Sequence, residues 1–246
     1  MRLPTKIAAA LCAAMAISGA ASAAAPERQI EALAKTAMVH GGWFVLPERD
    51  RDADAWRYAI ADLDRNGRLE VVKVKRGWAE GGPMLLVKEL EENGERLRGE
   101  AHFDGTDIPD ILAASDTSGQ APVLCDAKHN LFHYIFQATV YHGEFASVTT
   151  KYALTFSDGT LLVRPLARFH WNMSGYDGSV KTRYDLPNTG EDIDANRYEN
   201  IEREAFPGCE ARTVTFLWRS AEELKTAASN GELRQALADS FACFQR

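Results

Sequence analysis

Apolar residues repeat at helical spacing near the start of the chain and at strand spacing through most of the remainder. Ile30, Leu33, Ala34, Ala37 and Met38 share one face at helical periodicity, which predicts a helix over 26–39. Gly41-Gly42 ends it. Residues 56–61 and 69–74 are short apolar runs and read as strands. Residues 84–90 and 96–103 read as a hairpin around Glu92-Asn93-Gly94, because Asn-Gly accepts the positive φ of a tight turn. A short helix is expected over 107–114, with Pro109 in its first turn.

The middle of the chain is strongly β. Phe132, Tyr134, Phe136, Ala138 and Val140 alternate along 131–141, and strands over 148–156 and 160–169 flank Ser157-Asp158-Gly159. The polar stretch 172–188 reads as a loop or a marginal hairpin. A helix over 193–206 has Asp194 as N-cap and stops at Pro207-Gly208. A last strand is expected over 212–219. Ser220 and Glu223 then form a capping box for a C-terminal helix that breaks at Asn230-Gly231. Strands outnumber helices, and the helices sit at the two ends. The expected class is α+β, with antiparallel β-meander sheets, an N-terminal helix and C-terminal helices.

The N-terminus adds a destination. Arg2 and Lys6 precede an uncharged run over 7–21, and Ala21-Ser22-Ala23 fits the small-x-small rule for cleavage. Residues 1–23 are expected to be a signal peptide and 24–246 a single domain, with a sub-boundary near 105–121. Secretion or a periplasmic location follows, and no second run is long enough to span a membrane. Cleavage removes two of 28 basic residues and none of 35 acidic ones, moving the net charge from −7 to about −9. That acidity excludes nucleic acid as a partner, because such binding rests on phosphate neutralisation by Lys and Arg. It leaves an unidentified protein or envelope component as the expected partner.

Cys125, Cys209 and Cys243 remain after cleavage. Export permits disulfides, and Cys209 with Cys243 is the candidate pair, which would leave Cys125 as a buried thiol; the odd count weakens any disulfide argument. The cysteine spacing does not resemble a zinc motif. His129 and His133 are read as polar strand or turn positions, like His142 and His170. Core packing is the expected role of Trp43, Trp56, Trp78, Trp171 and Trp218, with Trp78, beside Gly77 and Gly81-Gly82, the one whose neighbours leave exposure open.

One segment carries distinctive chemistry: Asp62-Leu63-Asp64-Arg65-Asn66-Gly67-Arg68-Leu69-Glu70. Counted from Asp62, oxygen donors fall at positions 1, 3, 5 and 9, with Gly67 at 6 for a sharp turn and the Arg68 carbonyl at 7. A hard cation such as Ca²⁺ takes such a set of oxygens. Asp62, Asp64, Asn66, Arg68 and Glu70 are therefore the candidate metal ligands. Position 12 is Lys73, where an EF-hand carries a bidentate Glu, and the flanks are β-like rather than helical. The same residues also make an ordinary metal-free turn, so the sequence leaves both readings open.

The Asp-x-Asp-x-Asn-Gly-x-x-Glu pattern between strands resembles the calcium-binding hairpin loops of FG-GAP repeats. It is also similar to a segment of many secreted bacterial proteins of unknown function, which continue with strands like His133-Tyr134-Ile135-Phe136, a helix like that at 193–198 and a strand before a Trp, here Trp218. The resemblance implies Ca²⁺ binding and no catalytic activity. The function expected is a non-enzymatic binding or envelope-associated module. The alternative is an exported hydrolase whose site assembles from scattered acids and histidines; the chain has no Gly-x-Ser-x-Gly elbow to support it.

Overall fold

A helix with one apolar stripe opens the described chain and needs a sheet to cover. The computed structural model describes residues 26–37, 43–44, 56–75, 84–91, 97–104, 120–157, 159–241 and 243–245. Helix α1 (Pro26–Ala37) buries Gln29, Ile30, Leu33 and Ala37. Four strands follow: β1 (Trp56–Ala61), β2 (Glu70–Lys75), β3 (Met84–Leu90) and β4 (Leu97–Asp104). Their order in the sheet is their order in the chain, and β12 (Arg219–Ser220) joins the free edge of β1.

The second sheet has eight strands. It contains β5 (Gln120–Asp126), β6 (Leu131–Tyr141), β7 (Ala146–Ser157), β8 (Thr160–Met173), β9 (Val180–Asp185) and β10 (Asp192–Ile193). β11 (Glu210–Thr215) and β13 (Cys243–Gln245) extend it beyond β5, giving the order β10-β9-β8-β7-β6-β5-β11-β13. All pairings between named strands are antiparallel among the described residues. Three further helices occur among the described residues: α2 (Ala195–Ala205), α3 (Ala221–Ser229) and α4 (Leu233–Ala238).

Period-2 patterning explains the layering. Ala59, Val72, Val74, Leu85 and Val87 of the five-stranded sheet face Val123, Phe132, Tyr134, Phe136 and Leu154 of the other, forming the core between the sheets. The opposite face of the first sheet presents Tyr58, Ile60 and Val71 to Ile30 and Leu33 of α1, Leu224 of α3 and Leu237 of α4. The opposite face of the second sheet places Leu124, Ile135, Leu166 and Ala167 under Tyr198 and Ile201 of α2. The layers are thus helices, sheet, sheet and helix. β1 and β2 are covered on both faces, which is why they read as apolar runs rather than clean alternation.

Several expectations meet the structure closely. Asp194 caps α2, its side chain accepting from the Arg197 amide, and Ser220 with Glu223 forms the capping box of α3. Asn230-Gly231 separates α3 from α4, with Gly231 at φ 74°. Of the two readings of residues 172–188, the hairpin holds: β8 runs to Met173 and pairs with β9 from Arg168↔Asp185 to Met173↔Val180. Others need correction. The strand expected over 212–219 is two strands in different sheets, with Phe216, Leu217 and Trp218 carrying the chain across. β5, which contains Pro122 and was not anticipated as a strand, lies between β6 and β11.

The candidate Cys209–Cys243 disulfide is also overturned. Cys209 precedes β11, whereas Cys243 pairs with Thr215 at its far end. A strand of that length separates them by roughly 20 Å, far beyond disulfide reach, and the thiols of Cys125 and Cys209 are free. The signal segment 1–23, the turn at 92–94, the helix over 107–114 and Trp78 lie outside the described residues. No described helix is long and apolar enough to cross a membrane.

Candidate metal centre

The acidic segment closes the β1–β2 hairpin, whose ladder ends at the pair Ala61↔Glu70. Its backbone turns sharply because Arg65 and Gly67 adopt left-handed φ values of 55° and 85°. Side chains of the loop then bond its own backbone. Asp64 Oδ1 accepts from the Asn66 amide at 3.2 Å, Asp62 Oδ2 from the Gly67 amide at 3.2 Å, and Asn66 Oδ1 from the Arg68 amide at 2.7 Å. Glu70 reaches back across the loop, and its Oε2 accepts from the Leu63 amide at 2.6 Å.

The loop is held from three sides. Gln29 of α1 donates from Nε2 to the Gly67 carbonyl at 2.8 Å and accepts at Oε1 from the Leu69 amide at 2.8 Å. Tyr134 of the facing sheet donates its hydroxyl to the Leu63 carbonyl at 2.7 Å. Leu63 is buried in the core between the sheets, and Leu69 in the core beneath the helices. Glu89 of β3 stands opposite Glu70 in the ladder. It accepts from Asn66 Nδ2 at 2.7 Å and pairs with Arg68 at 2.8 Å.

One carboxylate oxygen from each of Asp62, Asp64 and Glu70 lies within 4.8 Å of the other two. Glu70 is fully buried, and among the described residues its Oε1 has no hydrogen-bond partner; Asp62 Oδ1 is likewise buried and unpartnered among them. Burial, then the neighbouring Asp64 charge, pushes the Asp62 carboxyl up to about 7. Burial, then the charges of Asp62 and Asp64, holds Glu70 well above the ordinary carboxyl range. An uncompensated buried carboxylate is costly, so such a group takes up a proton or a cation. Arg65 places its guanidinium over the Phe132 ring at 5.0 Å, and Arg68 is engaged with Glu89.

Of the five candidate ligands, the structure gathers Asp62, Asp64 and Glu70. Asn66 acts as a clamp: its oxygen takes the Arg68 amide, and its Nδ2 bridges Asp64 Oδ2 and Glu89 Oε1. Arg68 contributes its amide to the turn and its guanidinium to Glu89. Sequence reading missed Gln29, Glu89 and Tyr134. Two of these left a signal. Gln29 lies on the buried stripe of α1 with Leu33 and Ala37, and Glu89 shares the inward face of β3 with Leu85 and Val87. A polar residue at a core position asks for a partner. Tyr134 read as an ordinary aromatic strand position.

No family model, no curated protein and no solved structure matches the chain.

Proposed function

We propose that this chain is an exported, non-enzymatic binding or envelope-associated module whose β1–β2 loop holds one Ca²⁺ ion for a structural purpose. The observation that carries the reading is Glu70: a fully buried carboxylate with an unpartnered oxygen, in a cluster with two more carboxylates. Oxygen-only donors suit a hard cation. The absence of sulfur or imidazole in the cluster disfavours transition metals. Mg²⁺ demands a small regular octahedron and keeps its waters, whereas Ca²⁺ accepts irregular carboxylate cages. The donors come from a hairpin that contacts α1 through Gln29 and the second sheet through Tyr134. A cation there would tie three layers together, and affinities of about 10⁻⁴–10⁻³ M, common in extracellular modules, would suffice.

Calorimetric titration and thermal melts of wild type and Asp62→Ala/Asp64→Ala test this reading. At a hundredfold excess over Kd, Ca²⁺ is expected to stabilise the wild type by about 2.7 kcal/mol. In a chain of this size that is a rise of about 5–10 °C. The double variant is expected to show neither heat nor shift. A wild type silent at about 100 mM Ca²⁺, a hundredfold excess over the weaker of these affinities, rules the metal reading out.

A further inference from the structure

A second group of unlike ligands converges on the outer face of the eight-stranded sheet. Asp126 ends β5, His133 lies on β6, and Cys209 immediately precedes β11. β5 runs between β6 and β11, and the pairs Leu124↔His133, Asp126↔Leu131 and Cys125↔Glu210 bring the three residues to one end of three adjacent strands. One ligand atom from each lies within 4.8 Å of the other two. Tetrahedral zinc bonds of about 2.0–2.3 Å place neighbouring ligand atoms roughly 3.3–3.8 Å apart, so the gap to close is small.

The surroundings hold the ligands as an outer shell does. His133 is 8% exposed and lies 4.1 Å from the Phe206 ring in a stacked arrangement. Its Nδ1 is 2.7 Å from Thr155 Oγ1. With the proton assigned to Nδ1, Nε2 carries the lone pair. Asp126 Oδ1 accepts from the amides of Lys128 and His129, and His129 Nδ1 sits 2.7 Å from Asp126 Oδ2.

We propose that Asp126, His133 and Cys209 form a site for a borderline divalent transition ion of the Zn²⁺ type, with a carboxylate, an imidazole and a thiolate as protein ligands and a fourth position open to water. Sulfur and nitrogen donors select such an ion over Ca²⁺. Binding converts the Cys209 thiol to a thiolate and releases its proton to solvent. The site shares no ligand with the Asp62–Glu70 loop. Cys125, which packs in the core between the sheets, is an internal control.

Cobalt titration of the reduced, metal-stripped full chain tests the proposal. One equivalent of Co²⁺ is expected to produce thiolate-to-cobalt charge-transfer absorption that Zn²⁺ displaces and millimolar Ca²⁺ leaves unchanged. The band is expected to persist in Cys125→Ser and vanish in Cys209→Ser, while His133→Ala weakens binding at least tenfold, about 1.4 kcal/mol. In the wild type, Zn²⁺ should slow alkylation of Cys209 by iodoacetamide. Absence of the band, or a band that follows Cys125, overturns the site. Rapid alkylation of Cys209 at neutral pH, equal with and without Zn²⁺, overturns it in favour of a Cys–His–Asp nucleophile.

Discussion

Glu70 shows how one residue sets the character of its surroundings. It shares the inward face of β2 with Val72 and Val74, which belong to the core between the sheets. Glu70 therefore ends that core with a carboxyl group that has one hydrogen-bonded oxygen and one orphan. Replacing it with Gln keeps an acceptor for the Leu63 amide and removes the charge. Glu70→Gln is expected to raise the melting temperature of the cation-free protein and to weaken Ca²⁺ binding at least tenfold, about 1.4 kcal/mol. Melts with and without Ca²⁺ check both halves. A variant that is destabilised without Ca²⁺ yet still responds fully to it would show that Glu70 is a structural carboxylate only.

At the scale of elements, the loop is shaped as much by what it touches as by its own turn chemistry. α1 has an amphipathic stripe and would pack on the sheet without Gln29. With Gln29 it also supplies two hydrogen bonds to the far side of the loop, at Gly67 and Leu69. Leu69 is buried, so Gln29→Ala leaves its amide without this partner. Losing a buried partner costs about 1–3 kcal/mol, and the expected result is a melting temperature lower by roughly 2–12 °C for a domain of this size. Ca²⁺ affinity falls with it, because the loop must be ordered at the expense of binding. Unchanged affinity in a destabilised Gln29→Ala protein would separate the clamp from the site.

At the scale of the whole molecule, the buried carboxylates couple stability to pH. Asp62 is raised from 3.8 to about 7 in the folded chain, and Glu70 is raised in the same direction. The folded state thus holds protons that the unfolded chain releases. The stabilising contribution of Asp62 is full below about pH 4 and is lost as pH rises through about 7, and that of Glu70 has the same sign. His133 acts in the opposite sense, since burial lowers its affinity for a proton. The comparison with and without Ca²⁺ isolates the carboxylates, because the cation takes the place of their protons. The stabilisation by saturating Ca²⁺ is expected to grow from pH 5 to pH 7.5 in thermal melts, and a shift independent of pH would count against the coupling.

Local physical rules explain which features were legible in advance. The amphipathic stripe of α1, the caps at Asp194 and Ser220, the break at Asn230-Gly231 and the alternation along β6 all rest on contacts within a few residues of one another. The same holds for the loop, where Gly67 and the short polar side chains around it turn the backbone by themselves. The partners of those elements were not legible. The chain after β11 crosses from one sheet to the other; β5 pairs inside a sheet despite Pro122; and Cys209 lies a strand's length from Cys243. Only the packed sheets bring Gln29, Glu89 and Tyr134 to the acidic loop, or Asp126, His133 and Cys209 to one strand end. Turn and helix chemistry is local and is written in adjacent residues. A buried polar cluster depends on register and layer order, and those exist only once the two sheets have met.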